Sequence, residues 1–308
     1  MLVTGAAGFA GSHLLDLLAP RHPRIVGWYR PGGRTPQARA NVEWQTVDVL
    51  DRDAVRDAIL VTQPSAVYHC AGAANVGRSW NRTAATLAIN VRGTQVVLEA
   101  VAALQRRVPV LIPSSAMVYR ASNAPLHEDA ELLPPNPYGL TKLATEMLAT
   151  RMVADGVDVR IVRPFNHIGP RQYPSFVASD FARQIVEIER GRRDPEIVVG
   201  NLEARRELTN VRDTVRAYEI VMERGVTGRP YNVSSGSAHS IRELLDRLIE
   251  HAHVPVRVRV DASKFHPNDL PLLLGDPTRI QTELGWRPSI PLDETLDEVL
   301  EYWRQQDS

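Results

Sequence analysis

Tyr138 and Lys142 stand four residues apart, directly after Asn136-Pro137. Asparagine at an N-cap followed by proline marks a helix start. Residues at i and i+4 share one helix face, so the spacing sets a phenol beside an ammonium. An unperturbed tyrosine titrates near pH ~10, and a neighbouring cation favours its phenolate at about 1.4 kcal/mol per unit of depression. That moves a phenol toward the range useful for proton transfer at neutral pH. The pair is the more telling because only two of the 36 basic residues are lysines, Lys142 and Lys264. Ser114-Ser115 follow a strand-like run ending at Pro113. Ser115 is the expected partner of a substrate oxygen and Ser114 the alternative, although either could instead cap a turn.

A second group opens the chain. Thr4-Gly5-Ala6-Ala7-Gly8-Phe9-Ala10-Gly11 places glycines at a G-x-x-G-x-x-G spacing between a first strand and a first helix. The first glycine permits the tight turn, the second lets a diphosphate approach the backbone, and the third allows close packing. The helix N-terminus then offers N–H groups and a partial positive charge to phosphate. The second strand ends Ile25-Val26-Gly27-Trp28-Tyr29-Arg30, with Arg34 close behind and no acid to bond a ribose 2′-hydroxyl. A guanidinium there forks onto a 2′-phosphate, so NADP(H) is preferred, with NAD(H) possible. Asp48, after the third strand, reads equally as an adenine contact or as a cap for the helix beginning near Asp51.

These residues need elements to hold them. Strand-like runs at 2–3, 24–29, 42–49, 66–71, 108–113 and 157–163 alternate with helix-period segments at 11–18, 53–60, 83–104 and 138–153. Short apolar strands separated by helices describe an α/β fold with a doubly wound parallel sheet, its ligands at the carboxyl ends of the strands. After Pro164 the pattern shifts to shorter elements: helices at 180–190, 213–223, 241–252 and about 293–304, and strands at 230–233 and 254–260. This reads as a smaller C-terminal α+β domain closing over the sheet. No repeat, heptad or low-complexity segment interrupts it.

Composition excludes several classes. The 308 residues carry 36 basic and 36 acidic side chains and 44% apolar content. A balanced charge disfavours a general nucleic-acid binder, so any anionic ligand must be met by local arginines. One cysteine, Cys70, permits no internal disulfide, which fits a cytoplasmic protein. No apolar run approaches the roughly 18–20 residues of a membrane helix, and Met1-Leu2-Val3-Thr4-Gly5 has no signal-peptide character. His251, His253 and His266 form no metal-ligand spacing with Cys70, so no metal is expected.

Together the Thr4–Gly11 loop, Ser115, Tyr138-x-x-x-Lys142 and Asn90 resemble the extended short-chain dehydrogenase/reductases that modify sugar nucleotides, over essentially the whole chain. The segments Arg163-Pro164-Phe165-Asn166-His167-Ile168-Gly169-Pro170, Phe176-Val177…Asp180-Phe181 and Gly200-Asn201-Leu202-Glu203-Ala204-Arg205-Arg206-Glu207 are similar to the branch of GDP-4-keto-6-deoxy-D-mannose reductases, which form GDP-D-rhamnose, and the related GDP-mannose 4,6-dehydratases. Leu273-Leu274-Gly275-Asp276-Pro277-Thr278 and Leu284-Gly285-Trp286-Arg287-Pro288 continue the likeness.

The resemblance implies a Rossmann domain at 1–165 and 208–236, and a sugar-nucleotide domain at 166–207 and 237–308. It implies Ser115, Tyr138 and Lys142 as catalytic residues, with Val49 and Ala71 joining the glycine loop, Arg30, Asp48, Tyr138 and Lys142 around the cofactor. Asn166 and Arg206 would hold the substrate diphosphate and Asn201 would lie near the base, with Ser114, His266 and Asp269 completing the substrate site. Where the family carries Arg-Pro-x-Glu, this chain has His266-Pro267-Asn268-Asp269, and histidine lacks the guanidinium fork. A dehydratase also needs a carboxylate just after the serine, and Met117 occupies that place. Reduction of a 4-keto group needs no such base, so a reductase, most naturally for a GDP-linked substrate, is expected over a dehydratase. Ser-Ser-Ala-x-Val-Tyr also resembles the 4-epimerases, and a non-catalytic NADP-binding sensor is the alternative of a different class. Trp80 and Tyr119 could stack on a base or simply pack. The helices around 83–104 and 138–153 are broad enough in their apolar faces to form the family's homodimer.

Overall fold

The computed structural model describes residues 1–33, 36–265 and 270–306. The first half runs β1 (Leu2–Thr4), α1 (Phe9–Leu18), β2 (Ile25–Tyr29), β3 (Val42–Thr46), α2 (Arg52–Thr62), β4 (Val67–His69), α3 (Val76–Asn81), α4 (Thr83–Leu87), α5 (Gly93–Ala102), β5 (Val110–Pro113), α6 (Pro137–Ala154) and β6 (Val159–Pro164). There follow β7 (His167–Ile168), α7 (Val177–Glu189), β8 (Glu196–Val199), β9 (Arg205–Glu207), β10 (Thr209–Asn210), α8 (Val211–Arg224), β11 (Pro230–Val233), β12 (Ala238–Ser240), α9 (Ile241–Glu250), β13 (Arg257–Val260), β14 (Leu272–Leu273), α10 (Thr278–Leu284) and α11 (Leu292–Gln305).

Strands β1, β4 and β6 are buried along their whole length, as strands covered on both faces must be. They join a seven-stranded parallel sheet in the order β11-β6-β5-β4-β1-β2-β3. The order of strand addition reverses at β1, with β2 and β3 on one side and β4, β5 and β6 on the other; its Leu2 pairs with both Val26 and Val67. Dinucleotides bind at such a switch point. One face is packed by Leu14, Leu15 and Leu18 of α1 with Val215, Tyr218 and Met222 of α8. The other is packed by Val55 and Ile59 of α2, Val97 and Val101 of α5, and Ala149 of α6. A separate core joins α7, α9 and α11, through Ile185, Leu244, Leu248, Leu296 and Leu300.

Two segments differ locally from the sequence reading. The segment 83–104 is not one regular helix: Ala88–Arg92 forms a π turn between α4 and α5. The alternating run 254–260 pairs only from Arg257 to Val260, and all four residues are exposed because β13 is an edge strand on β8. Ile280 and Leu284 of α10, with Trp286, pack into the core beside α1 and α8. That stretch lies within 237–308, which the sequence assigns to the smaller domain. Among the described residues, no helix is long and apolar enough to cross a membrane.

Candidate active site

The end of β5 and the start of α6 build the centre of the site. Ser114 bonds back to β6 through its N–H to the Val162 carbonyl (2.7 Å). Ser115 then caps a short 3₁₀ turn, Ala116–Val118, its Oγ accepting the Met117 N–H at 3.1 Å. At the head of α6, Asn136 Oδ1 accepts the Gly139 N–H at 2.8 Å, and Pro137 occupies the first turn. Gly139 is required there, since a Cβ at this position would lie 2.1 Å from the Met117 carbonyl oxygen. The helix start and the serine turn thus come together backbone to backbone, which brings the Tyr138 phenol to Ser115.

Lys142 lies one turn on, its Nζ donating to the Pro113 carbonyl at 2.8 Å and standing 5.9 Å from the Tyr138 ring centre. Burial governs both groups. It pushes the Tyr138 phenol up to about 12, against the Ser115 hydrogen bond, and pushes Lys142 down to about 8. The expected depression of the phenol by Lys142 is not found: desolvation raises it, and what opposes the rise is Ser115. A phenol held protonated is a poor base, but it is a proton donor ready for an alkoxide.

Asn90 sits in the π turn, where such wide turns commonly serve function. Its side chain binds the Ala73 N–H (2.8 Å) and the Thr141 hydroxyl (2.8 Å). Its carbonyl accepts from the hydroxyls of Thr94 (2.6 Å) and Thr145 (3.1 Å). Thr94 also meets His69 Nε2, whose Nδ1 meets the Thr4 hydroxyl at 2.8 Å. One buried chain of hydrogen bonds therefore runs from the glycine loop to α6.

The glycine loop fits a dinucleotide phosphate. Gly5 has φ +62°, and a Cβ on it would lie 2.6 Å from the Ala71 nitrogen. A Cβ on Gly11 would lie 2.3 Å from the Gly5 carbonyl oxygen, so the third glycine packs α1 onto the loop itself. Gly8 is the N-cap of α1 and brings no side chain to cover the first-turn N–H groups. Phe9 and His167 stack at 5.7 Å with nearly parallel rings, which joins Ala10 and the rest of this turn to the chain beyond β6. Arg30 is exposed at the end of β2, and Arg34 lies outside the described residues. Asp48 is exposed and accepts the Leu50 N–H at 2.9 Å, whereas Asp51 caps α2. Val49 packs near Gly93, where an added Cβ would meet it at 3.0 Å.

The residues expected at the nucleotide end are spread along the second half. Asn166 follows β6, and its carbonyl accepts the Thr209 N–H at 3.0 Å. Asn201 Oδ1 accepts the Glu203 N–H at 2.9 Å. Arg206 lies on β9 and donates to the carbonyls of Arg205 (2.9 Å) and Leu270 (2.6 Å). His266 and Asp269 lie outside the described residues. Tyr119 packs rather than stacks on a ligand: it is buried, hydrogen-bonded to Asn232 at 2.6 Å and stacked on Phe165. Trp80 is exposed on α3.

Sequence reasoning passed over the buried acids. Glu146, two turns beyond Tyr138, forms a forked ion pair with Arg163 of β6 (Nε–Oε1 2.9 Å, Nη2–Oε2 2.7 Å). Glu207, beside Arg206, is fully buried and accepts the N–H groups of Gly236 and Gly275 (both 2.9 Å) and of Ser235. For Glu146 the available signal was Arg163, a charge in the largely apolar run of β6 that needs a buried partner; nothing comparable marks Glu207 in Arg205-Arg206-Glu207.

A parallel nucleotide-binding sheet, a glycine loop at its switch point and a Ser–Tyr–Lys cluster at its carboxyl edge define an extended short-chain dehydrogenase/reductase, an enzyme class of the nicotinamide-dependent oxidoreductase type. The family model described as GDP-mannose 4,6 dehydratase matches residues 2–299, and the chain belongs to that family. The GDP-6-deoxy-D-mannose reductase of Pseudomonas aeruginosa is 33% identical, with 99% of this chain and 97% of that protein covered. A dTDP-glucose 4,6-dehydratase of Streptomyces griseus is 31% identical, with 100% and 95% covered. The solved structure of RMD from Pseudomonas aeruginosa complexed with NADPH matches with a TM-score of 0.87 at 32% identity, with 98% of each chain covered.

Proposed function

We propose that this protein reduces the 4-keto group of a nucleotide-linked 4-keto-6-deoxyhexose with NADPH, the substrate being GDP-4-keto-6-deoxy-D-mannose and the product GDP-D-rhamnose. The observation that carries the reading is the pairing of Ser115, Tyr138 and Lys142 with a thioether at position 117. Met117 meets the Asn136 amide through its sulfur at 3.5 Å and cannot remove the proton that a dehydratase must take. The likeness to the Pseudomonas reductase, and to its NADPH-bound structure, supports the same choice of chemistry and cofactor.

The glycine loop with Ala71 and Val49 would hold the dinucleotide, and Arg30 would favour NADP(H) while leaving NAD(H) usable. A bound NADPH supplies the hydride. Tyr138 gives its phenolic proton to the substrate oxygen, Ser115 steadies that oxygen, and the Lys142 ammonium stabilises the phenolate left behind before solvent reprotonates it. Asn166 and Arg206 would bind the diphosphate, with Asn201 toward the base. Leu87, Leu140 and Met147 are exposed on α4 and α6, which supports a homodimer formed through those helices.

The test is NADPH oxidation with the GDP-, UDP- and dTDP-linked 4-keto-6-deoxy sugars, with NADH in parallel. Stoichiometric oxidation with the GDP sugar is expected. Tyr138→Phe is expected to lower turnover by about 10²–10⁴-fold with NADPH affinity nearly intact. A 4-epimerase also dispenses with a base at position 117; conversion without net oxidation would establish that reading instead. Tight NADPH binding without conversion of any sugar would point to a sensor.

A further inference from the structure

We propose that Glu146 is a positioning residue for Lys142, and that Arg163 holds its carboxylate close enough to favour the ammonium while preventing it from capturing that ammonium. The inference rests on the reading of Tyr138 as proton donor.

Tyr138, Lys142 and Glu146 follow one another at four-residue steps along α6, on one face. Lys142 spends a hydrogen bond on a neutral acceptor, the Pro113 carbonyl. Around it, α6 contributes Tyr138 and Glu146, β4 ends in His69 with Cys70 directly after it, and a Cβ added to Gly72 would lie 3.9 Å from Lys142 Nζ and 3.1 Å from Asn90 Oδ1. Burial keeps the Tyr138 phenol and the Cys70 thiol protonated up to about 12. It also keeps His69 neutral down to about 3. Of the described residues that act on Lys142, Cys70 and Glu146 both favour the ammonium; the thiol is held protonated by burial, and Glu146 is the one engaged in an ion pair, with Arg163.

A carboxylate four residues after a lysine is ordinarily free to swing onto it. Here both its oxygens are engaged by Arg163, with the two side chains 7% and 4% exposed. Arg163 is fixed in turn: its Nη1 donates to Tyr119 Oη (3.0 Å) and the Glu128 carbonyl (2.8 Å), and its strand neighbour Asn232 accepts from Tyr119. The clamp thus reaches from α6 through β6 to β11.

The two halves of this ion pair should act oppositely on Lys142, whereas a merely structural pair would not distinguish them. Only Lys142 and Lys264 are present, so lysine labelled with ¹³C at Cε gives two resonances, assigned by Lys264→Arg. Glu146→Gln is expected to move the Lys142 titration and the alkaline limb of kcat/KM to lower pH, with Glu146→Asp restoring both. Arg163→Gln is expected to move the titration to higher pH, while kcat falls as the freed carboxylate draws the ammonium from Tyr138. Shifts in the same direction, or none, overturn the proposal. Should either variant fail to fold, Glu146→Leu/Arg163→Leu replaces the pair with apolar side chains. It is expected to titrate below the wild type, and an unchanged titration overturns the proposal. The resonance reports on Lys142 whether or not the enzyme turns over. Absence of NADPH oxidation by the wild type defeats the reductase reading alone.

Discussion

Gly139→Ala isolates the contact that brings Tyr138 to Ser115. In an unobstructed helix this substitution ordinarily stabilises, because glycine is the poorer helix former. Here the new methyl would stand 2.1 Å from the Met117 carbonyl oxygen, 3.0 Å from its carbon and 3.1 Å from Pro134 Cβ. Two of these neighbours are backbone, so no side-chain rotation relieves the overlap. Restoring van der Waals distance needs a displacement of roughly 1 Å, either of the first turn of α6 or of the turn Ala116–Val118. Tyr138 is carried by the first element and Ser115 by the second. A 1 Å misplacement of reacting groups costs on the order of 10²-fold, or about 2.7 kcal/mol of transition-state stabilisation. We therefore expect kcat/KM for the keto sugar to fall by about 10²-fold, Tm to fall rather than rise, and NADPH affinity to change far less, since the glycine loop is remote from the contact. Steady-state kinetics with thermal unfolding of the same preparation decides the matter. A variant with raised Tm and undiminished kcat/KM would refute the backbone contact and its role in placing the phenol.

Three further outcomes follow from the same geometry. Arg30→Ala should raise KM for NADPH by about tenfold, some 1.4 kcal/mol, and leave KM for NADH unchanged; an equal change in both would remove Arg30 from the 2′-phosphate. Because Lys142 must be charged to stabilise the phenolate and burial has lowered it to about 8, kcat/KM for reduction should fall by about tenfold per pH unit above that value. Tyr138, held up to about 12, should add no limb of its own below pH 10, and a decline beginning only there would show that Lys142 does not govern the rate. Met147 is 67% exposed on the outer face of α6. If the proposed homodimer forms through α4 and α6, Met147→Asp should convert it to a monomer in light scattering, and a dimer that survives the substitution would place the interface elsewhere.

The parts legible in the sequence were those that local rules dictate. Asn136-Pro137 marked the start of α6 to the residue, and the glycine spacing marked the turn after β1. The alternation of strand and helix carried the doubly wound topology, since parallel strands need crossovers of one hand. The acidity of Tyr138 was not legible in the same way. Spacing shows that Lys142 is near, but the larger effect is burial, which depends on elements brought in from far along the chain. Arg163 and Glu146 lie 17 residues apart in sequence, on a strand and a helix with no local rule to pair them.

The least legible feature is also the one that unites the site. Periodicity reads residues 83–104 as a single helix because the π turn at Ala88–Arg92 carries no glycine or proline to mark it. Yet that added width turns the Asn90 carbonyl away from the regular ladder and toward Thr94 and Thr145, while its side chain pins Ala73 and Thr141. Thr94, Thr141, Thr145 and His69 are all buried, where apolar residues would ordinarily stand. Buried polar groups persist when each is satisfied by another. These satisfy one another in a continuous path from Thr4, beneath the glycine loop, to the helix that carries Tyr138 and Lys142. The polar interruptions of the apolar pattern are thus what hold the cofactor loop and the proton donor in one frame, as a reaction between a bound dinucleotide and a substrate oxygen requires.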